Sequence, residues 1–182
     1  MKKAIGMAEF ITVSEGVAAA DRMVKTAEVE IMEAQTVCPG KYIVVISGEL
    51  SAVNAAVDAA KKRHADKLID SFVLGNPHES IFPAIYASAE ITDTEALGVM
   101  ETFSAASAVF AADAAAKTAL VDLIELRLAR GMCGKSYLML TGTVSAVTAA
   151  IERANAAAAE RGMFLDSKVI PKPDKKLWKT IL

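Results

Sequence analysis

The chain carries two copies of one sequence pattern, and this internal repeat constrains its fold more than any other feature. Residues 5–9 (IGMAE) match residues 97–101 (LGVME), an offset of 92 residues. The offset rises to 94 and then to 96 further along the chain, so short insertions separate the copies. The matched pairs include Asp21 and Asp113, Lys25 and Lys117, Lys41 and Lys135, Asp70 and Asp166, and Ile81 and Leu177. Two units of about 90 residues, 1–90 and 91–182, therefore follow each other, and each is long enough to have its own core.

The number of copies also bears on assembly. Two copies are too few for a solenoid, which needs three or more repeats to bury a continuous core. A duplicated domain usually arises when subunits of a symmetric homo-oligomer become fused. We therefore expect a homo-oligomer with half as many chains as its ancestor and a pseudo-symmetric interface.

Hydrophobic periodicity predicts the same order of elements in both units: strand, helix, strand, strand, helix, strand. In the first unit the predicted strands are 4–12, 29–37, 42–47 and 68–74, with helices from Ser14 and Ser51 and a short closing helix after Pro77. Ser14 is predicted to cap the first helix, and Ser104 is predicted to cap the equivalent helix of the second unit. The apolar residues at helical spacing in the first helix are Val17, Ala20, Met23, Val24 and Ala27. This order is the split βαβ, or ferredoxin-like, arrangement, an α+β fold with an antiparallel sheet and two helices on one face.

Composition excludes several classes of function. The 20 Lys and Arg residues are outnumbered by 22 Asp and Glu, so the chain lacks the basic surplus with which nucleic-acid binders neutralise phosphates. No charge-free apolar stretch reaches the roughly 18 residues that a membrane span requires. The two cysteines, Cys38 and Cys133, are too few for a disulfide scaffold and fit a reducing compartment. We therefore expect a cytoplasmic protein that has neither nucleic acid nor a membrane as its partner.

Catalytic motifs are weak in this sequence. His64 and His78 are predicted to lie on the surface, and neither recurs in the other unit. There is no HExxH, CxxC or comparable ligand spacing, and residues 130–136 (RGMCGKS) lack the first glycine of a phosphate-binding loop. Glu9 and Glu101 are more simply interpreted as carboxylates satisfied by local backbone donors than as paired catalytic acids. The chain is therefore predicted not to be an enzyme.

Cys38 is the side chain best placed for chemistry. It begins a Cys-Pro-Gly sequence between two predicted strands, and a thiol at such a hairpin tip is exposed rather than packed. One thiol cannot hold an iron–sulfur cluster, which needs about four ligands, so an incidental turn cysteine is one interpretation. If the tip faces a threefold axis, however, three copies of Cys38 converge and supply three thiolates. Cys133, in the matching tip of the second unit, then lines the same opening or is simply a small turn residue.

The matched segments together resemble the tandem-domain shell proteins of bacterial microcompartments over nearly the whole chain, from residue 4 to about residue 178. The segments are residues 21–27 (DRMVKTA), 97–102 (LGVMET), 134–135 (GK) and 142–147 (GTVSAV). The resemblance implies a flat homotrimer that imitates a hexamer, tiles edge to edge with other shell proteins and encloses metabolic enzymes. It also implies that the protein is a structural part of a microcompartment shell in the cytoplasm.

Residues 38–41 (CPGK) look like the pore loop of the PduT-like subgroup from propanediol-utilisation shells. That subgroup is associated with a [4Fe-4S] cluster at the trimer axis, so the resemblance implies one cluster per trimer, held by three Cys38 thiolates. The predicted pore-lining residues are Cys38, Pro39, Gly40, Lys41, Met132, Cys133 and Gly134. A cluster there implies transfer of electrons or of the intact cluster across the shell, with encapsulated redox enzymes as candidate partners. The alternative is a cluster-free pore for small metabolites, in which Cys38 and Lys41 merely line the passage.

Three lysines are candidates for contacts between neighbouring tiles. In the family an edge lysine lies at the position that Lys25 and Lys117 match, and its recurrence in both units fits an edge that meets an identical edge. A solvated helix face is the alternative for both residues. Lys172 lies in a Pro-Lys-Pro sequence where many relatives have arginine. The lysine offers a single ammonium in place of the planar, bidentate guanidinium of arginine.

Overall fold

The computed structural model describes residues 4–91 and 94–182, and both repeats have the same order of elements. The first repeat comprises β1 (Ala4–Phe10), α1 (Val13–Thr26), β2 (Val29–Val37), β3 (Lys41–Gly48), α2 (Leu50–Arg63), β4 (Leu68–Leu74) and α3 (Ile81–Ile85). The second comprises β5 (Ala96–Thr102), α4 (Ala105–Thr118), β6 (Asp122–Arg127), β7 (Ser136–Gly142), α5 (Val144–Glu160), β8 (Phe164–Pro171) and α6 (Lys175–Ile181). The predicted α+β order of elements is confirmed.

Each repeat forms one four-stranded antiparallel sheet. The strand orders are β2–β3–β1–β4 and β6–β7–β5–β8, so the first strand of each repeat lies inside its sheet. Every residue of β1 is buried, which explains why this strand reads as a nearly continuous apolar run. In the first repeat, α1 and α2 pack together on the sheet, and their core includes Phe10, Met23, Ile46 and Val53.

Gly98, in the middle of β5, allows α5 to approach the sheet closely. A Cβ atom at this position would lie 2.8 Å from Ile151 Cγ1 and 2.8 Å from Leu140 Cδ1, closer than carbon atoms normally pack. Gly6 has the same role in β1, where a Cβ would lie 2.6 Å from Val53 Cγ1. The glycines that first revealed the repeat are therefore required by helix–sheet packing.

We expect the substitution Gly98→Val to lower the free energy of unfolding by about 1–3 kcal/mol, because its methyl groups overpack the α5–β5 contact. Urea unfolding at a fixed protein concentration measures the change. The control Val99→Ile enlarges the next side chain of the strand, which is only partly buried, and should change stability by less than about 0.5 kcal/mol. Equal unfolding midpoints for the two variants would contradict the packing argument.

Packing divides the described chain into two compact units that do not follow the repeats completely. Unit 1 contains the described residues up to Pro77 together with 104–106 and 129–134, and unit 2 contains the other described residues. The boundary at residue 90, which comes from the sequence repeat, stays a prediction. Short pieces of the second repeat, at the start of α4 and before β7, therefore belong to unit 1.

The short helix α3 was predicted to close the first unit, and this is wrong. It packs against β6, and both elements belong to unit 2. Its apolar residues Ile81, Ala84 and Ile85 are buried. The sequence shows that α3 needs an apolar surface, but the identity of that surface depends on tertiary structure.

The start of α1 also differs from the prediction. The helix begins at Val13, and Thr12 rather than Ser14 occupies the N-cap position, with extended backbone. Thr12 makes no side-chain capping hydrogen bond. In the second repeat, Ser104 directly precedes α4. Because Thr12 and Ser104 are separated by the repeat offset of 92, the offset identifies the cap better than the preference for serine does.

Candidate functional site

The predicted hairpin tip connects β2 to β3, and we call residues 38–40 the tip loop. The Gly40 N–H donates to the Val37 carbonyl at 2.9 Å, which closes the turn. Gly40 has a φ of +108°, a conformation that favours glycine. The Cys38–Pro39 peptide bond is cis. Cys38 is a free, half-buried cysteine, so its thiol is neither packed away nor fully solvated.

A second loop, residues 129–134 before β7, lies directly beside the tip loop in unit 1. The Cys38 N–H donates to the Ala129 carbonyl at 3.2 Å. Arg130 Nη2 lies 3.1 Å from Oε1 of Glu33 on β2, a second link between the loop and the hairpin. The two loops line one open depression, which contains Thr36, Val37, Cys38, Pro39, Gly40, Arg130 and Gly131.

Gly134 of the second loop lies close to Pro39 and Lys41. Its φ is +86°, and a Cβ there would lie 3.0 Å from Lys41 Nζ and 3.3 Å from Pro39 Cδ. Five predicted pore residues, Cys38, Pro39, Gly40, Lys41 and Gly134, are therefore adjacent in unit 1. Met132 is half-buried and Cys133 is exposed, at a φ of +50°.

Behind the tip loop, Lys41 forms an ion pair with a fully buried carboxylate. Lys41 Nζ donates to Glu9 Oε1 at 3.0 Å, and the Ala105 N–H at the start of α4 donates to Glu9 Oε2 at 2.9 Å. Glu9 is 0% exposed and the Lys41 side chain is 17% exposed. Burial raises the pKa of Glu9, while Lys41 and the Ala105 N–H lower it in part. The Lys41 ammonium is thus directed towards Glu9.

The interpretation of Glu9 as a carboxylate with local backbone donors is wrong, because its two donors lie 32 and 96 residues away in the sequence. A signal was nevertheless present. The sequence repeats a Glu and a Lys at matching positions, and the second pair, Glu101 and Lys135, also forms an ion pair, at 3.0 Å.

A second carboxylate holds the start of α4. The Ser104 hydroxyl donates to Asp70 Oδ2 at 2.6 Å, and Asp70 Oδ1 accepts the Ser71 N–H at 2.7 Å. Residues 104–106 belong to unit 1, so Glu9 and Asp70 anchor this helix start inside that unit. Carboxylates are favoured there because the unpaired N–H groups of a helix N-terminus attract negative charge.

The three predicted edge lysines lie on α1 (Lys25), on α4 (Lys117) and directly after β8 (Lys172). Lys25 Nζ is 2.7 Å from Asp21, and Lys117 Nζ is 2.6 Å from Asp113, so both make the same i,i+4 pair. The Lys25 side chain is 72% exposed. Lys172 is exposed, and its N–H donates to the Glu95 carbonyl at 2.8 Å.

The two histidines differ from the surface prediction. His64 is buried, at 8% exposure, and its Nδ1 contacts a carboxylate oxygen of Glu15. His78 is half-buried, and its N–H donates to Asp113 at 2.7 Å. His64 was misplaced because it ends a strongly basic helix turn, which suggested solvent, whereas α1 packs against α2.

A metal site confined to one chain is not formed by the residues that the structure describes. Within residues 4–91 and 94–182, no three His, Cys, Asp or Glu side chains are grouped to hold a metal ion. Cys38 and Cys133 are both free thiols. A [4Fe-4S] cluster takes about four ligands, so this donor set fits one only if several copies of the chain contribute. None of the helices in the described ranges combines the length and apolar character of a membrane span.

Comparison with known proteins is consistent with the duplicated fold. The BMC domain model matches residues 4–77 and again residues 96–173. The bacterial microcompartment shell protein PduT of Citrobacter freundii is 36% identical over 182 residues, which covers 100% of this chain and 99% of the relative. A microcompartment protein from Desulfitobacterium hafniense has a crystal structure that matches with a TM-score of 0.87 and 44% identity, over 98% of this chain and 99% of the other. A fused permuted hexameric shell protein from the RMM microcompartment shares the fold, with a TM-score of 0.68 and 24% identity over 87% and 84% of the two chains.

The chain therefore belongs to the BMC-domain family, the shell proteins of bacterial microcompartments. Its proteins form the wall of a microcompartment and are structural proteins rather than enzymes. More narrowly, two tandem BMC domains and similarity to PduT over the full length place this chain among the tandem, PduT-like shell proteins.

Proposed function

We propose that the chain forms a homotrimeric, pseudohexagonal tile of the shell that holds a [4Fe-4S] cluster at its central opening. The observation that carries the proposal is the position of Cys38, a half-buried free thiol in an open depression where two loops meet. A single chain offers too few sulfur ligands, as described above, whereas a threefold axis at the tip loop gathers three Cys38 thiolates. The cluster, when bound, supplies one-electron transfer.

The surrounding residues hold the thiol at a fixed place. The hydrogen bond from the Cys38 N–H to Ala129 ties the tip loop to the second loop, and the Gly40 turn fixes its other side. Lys41, held by buried Glu9, anchors the start of β3 directly after the turn. This support favours a defined ligand position over a mobile turn cysteine. In the trimer, three tip loops and three second loops with Met132, Cys133 and Gly134 surround the opening.

Membership of the family supports assembly with other shell proteins, and we propose Lys25, Lys117 and Lys172 as the edge contacts. Both helix lysines are already oriented by an aspartate one turn earlier, which leaves the ammonium groups at the surface. The tile then transfers electrons or an intact cluster across the shell, with encapsulated redox enzymes as its partners.

The test is the iron and acid-labile sulfide content of anaerobically purified, reconstituted protein, measured together with its mass in solution. One cubane per trimer predicts about 1.3 atoms each of iron and sulfide per chain. A trimer that contains neither, even after reconstitution, would overturn the cluster and leave a cluster-free pore for small metabolites. A monomer would overturn the trimeric tile itself.

A further inference from the structure

We propose that a cleft between α1 and the end of α2 binds the phosphate group of a small anionic molecule. The cleft has a volume of about 450 Å³, and its lining includes Ala18, Arg22, Lys25, Arg63 and His64. All of these residues belong to unit 1. The inference goes beyond the proposed function, because it depends on neither the trimer nor the cluster.

The first observation is the charge of the cleft. Arg22, Lys25 and Arg63 contribute three cations, and the lining also contains the carboxylate of Asp21. Asp21 Oδ2 lies 2.7 Å from Lys25 Nζ, so these two charges offset each other and the two arginines make the cleft positive. A cleft lined by one sign of charge concentrates the electrostatic potential and attracts ions of the opposite sign. An anion is therefore the expected occupant.

The second observation is that both arginines are available to a ligand. In the described part of the chain, neither the Arg22 nor the Arg63 side chain forms an ion pair or a hydrogen bond, and both residues are exposed. A guanidinium presents its N–H donors in a planar fork, which bonds two oxygens of one phosphate in parallel. Two guanidiniums beside one cleft match the double negative charge of a phosphate group.

The third observation is that the second repeat places large side chains at the equivalent position. By the repeat offset of 92, Ala18 corresponds to Phe110, and Glu15 corresponds to Ser107. The Arg161 guanidinium lies over the Phe110 ring, with its Cζ 5.2 Å from the ring centroid, and its Nε donates to the Ser107 hydroxyl at 2.9 Å. The small side chain of Ala18 leaves open in the first repeat the space that an aromatic ring takes in the second.

The two free cations are also specific to the first repeat. Arg22 corresponds to Ala114 at the offset of 92, and Arg63 corresponds to Ala157 at the offset of 94. A residue that the fold itself requires would be needed in both repeats. These arginines occur in one repeat, so their presence is better explained by a ligand than by the architecture.

His64 gives the cleft a fixed wall. It is buried, at 8% exposure, and its Nδ1 contacts a carboxylate oxygen of Glu15, which joins the end of α2 to α1. Arg63 directly precedes this anchor, so its backbone is held in place beside α1. A cleft that is formed before binding lowers the cost of ordering the site. Its volume falls within the range of small-molecule sites, about 300–1,000 Å³, and leaves room for an organic group beside the phosphate.

The test is isothermal titration calorimetry of the intact protein with inorganic phosphate and with glycerol 3-phosphate, at constant ionic strength. Saturable binding of either probe at one site per chain is the expected result. Arg22→Gln and Arg63→Gln should each weaken binding about 10-fold or more, because each removes charge-assisted hydrogen bonds. The matched control is Arg153→Gln, since Arg153 is exposed on α5 and belongs to the other unit. The control should bind as the wild type does.

The two probes separate the two sources of a phosphate group. Tighter binding of glycerol 3-phosphate assigns the site to a phosphorylated small molecule, and equal binding assigns it to the free ion. Both results support the inference. Lys25 is left unchanged in every variant, because it is also a proposed edge contact.

The variant Ala18→Phe tests the shape of the cleft separately from its charge. It introduces the aromatic ring found at the equivalent position and keeps every cation, and it should also weaken binding about 10-fold or more. Circular dichroism and the mass in solution of each variant should match the wild type. Absence of saturable binding to the wild-type protein would overturn the inference. Full binding by Ala18→Phe, or an equal loss in Arg153→Gln and Arg63→Gln, would also overturn it, because attraction to diffuse surface charge would then explain the result.

Discussion

Replacing Cys38 by serine is expected to remove nearly all iron and acid-labile sulfide from the reconstituted trimer, whereas replacing Cys133 leaves both at the wild-type level. The reason is geometric. Cys38 lines the depression between the two loops and has its backbone tied to Ala129, while Cys133 is exposed on the second loop. Serine is nearly the same size as cysteine, so loss of iron reports loss of the thiolate ligand.

The measurement is metal and sulfide analysis of the two variants beside wild type, with the visible absorbance of the cluster as a second readout. The mass in solution must be unchanged, since a dissociated trimer would lose its cluster for another reason. Equal loss of iron from Cys38→Ser and Cys133→Ser would show that both loops supply ligands. Full retention of iron by Cys38→Ser would exclude Cys38 as a ligand.

The second large effect is expected at Lys41. The substitution Lys41→Met leaves the fully buried Glu9 without its ion-pair partner, and removal of one member of a buried pair costs about 3–5 kcal/mol. The control Lys25→Met removes the exposed pair with Asp21 and should cost less than about 1 kcal/mol. Urea unfolding of both variants at the same protein concentration provides the comparison, because unfolding of an oligomer depends on concentration.

The cost of Lys41→Met should also depend on pH, and the sign follows from Glu9. Burial raises the pKa of Glu9 above 4.5, so the folded chain binds this proton more tightly than the unfolded chain does. The stability that comes from binding this proton more tightly in the folded chain is complete below pH 4.5. It is lost as pH rises through the raised pKa of Glu9. Lys41 lowers the pKa of Glu9, so its removal raises that pKa further. The variant should therefore be closest to wild type near pH 4 and furthest from it at neutral pH, and a cost that does not vary with pH would contradict this account.

Local sequence patterns were sufficient for the architecture. The order of elements and the hairpin tip before Lys41 follow from hydrophobic periodicity and turn residues, which act over short distances. The repeat then shows the same pattern a second time, 92 to 96 residues later. Comparison of the two repeats also indicated where a helix packs closely on its sheet, because Gly6 and Gly98 occupy matching positions.

The errors at Glu9, His64 and α3 share a physical cause, which is that each involves a partner distant in the sequence. Nothing near Glu9 indicates that its donors are Lys41 and the Ala105 N–H. The burial of His64 depends on packing of α1 against α2, and the placement of α3 depends on β6. Only the matching of Glu9–Lys41 with Glu101–Lys135 could have indicated such a pair in advance.

The alignment of the two loops has a consequence for how many ligands a shell tile can present. When the two repeats are aligned, Gly40 matches Gly134, so Cys38 matches Met132. The second repeat therefore has a thioether at the position where the first has a thiol. A ring of six identical single-domain chains would carry either six thiols at its centre or none. In the proposed trimer, gene fusion breaks that symmetry, because the two corners contributed by one chain mutate independently. Duplication therefore allows a six-cornered assembly to carry an odd number of ligands, which six identical chains cannot provide.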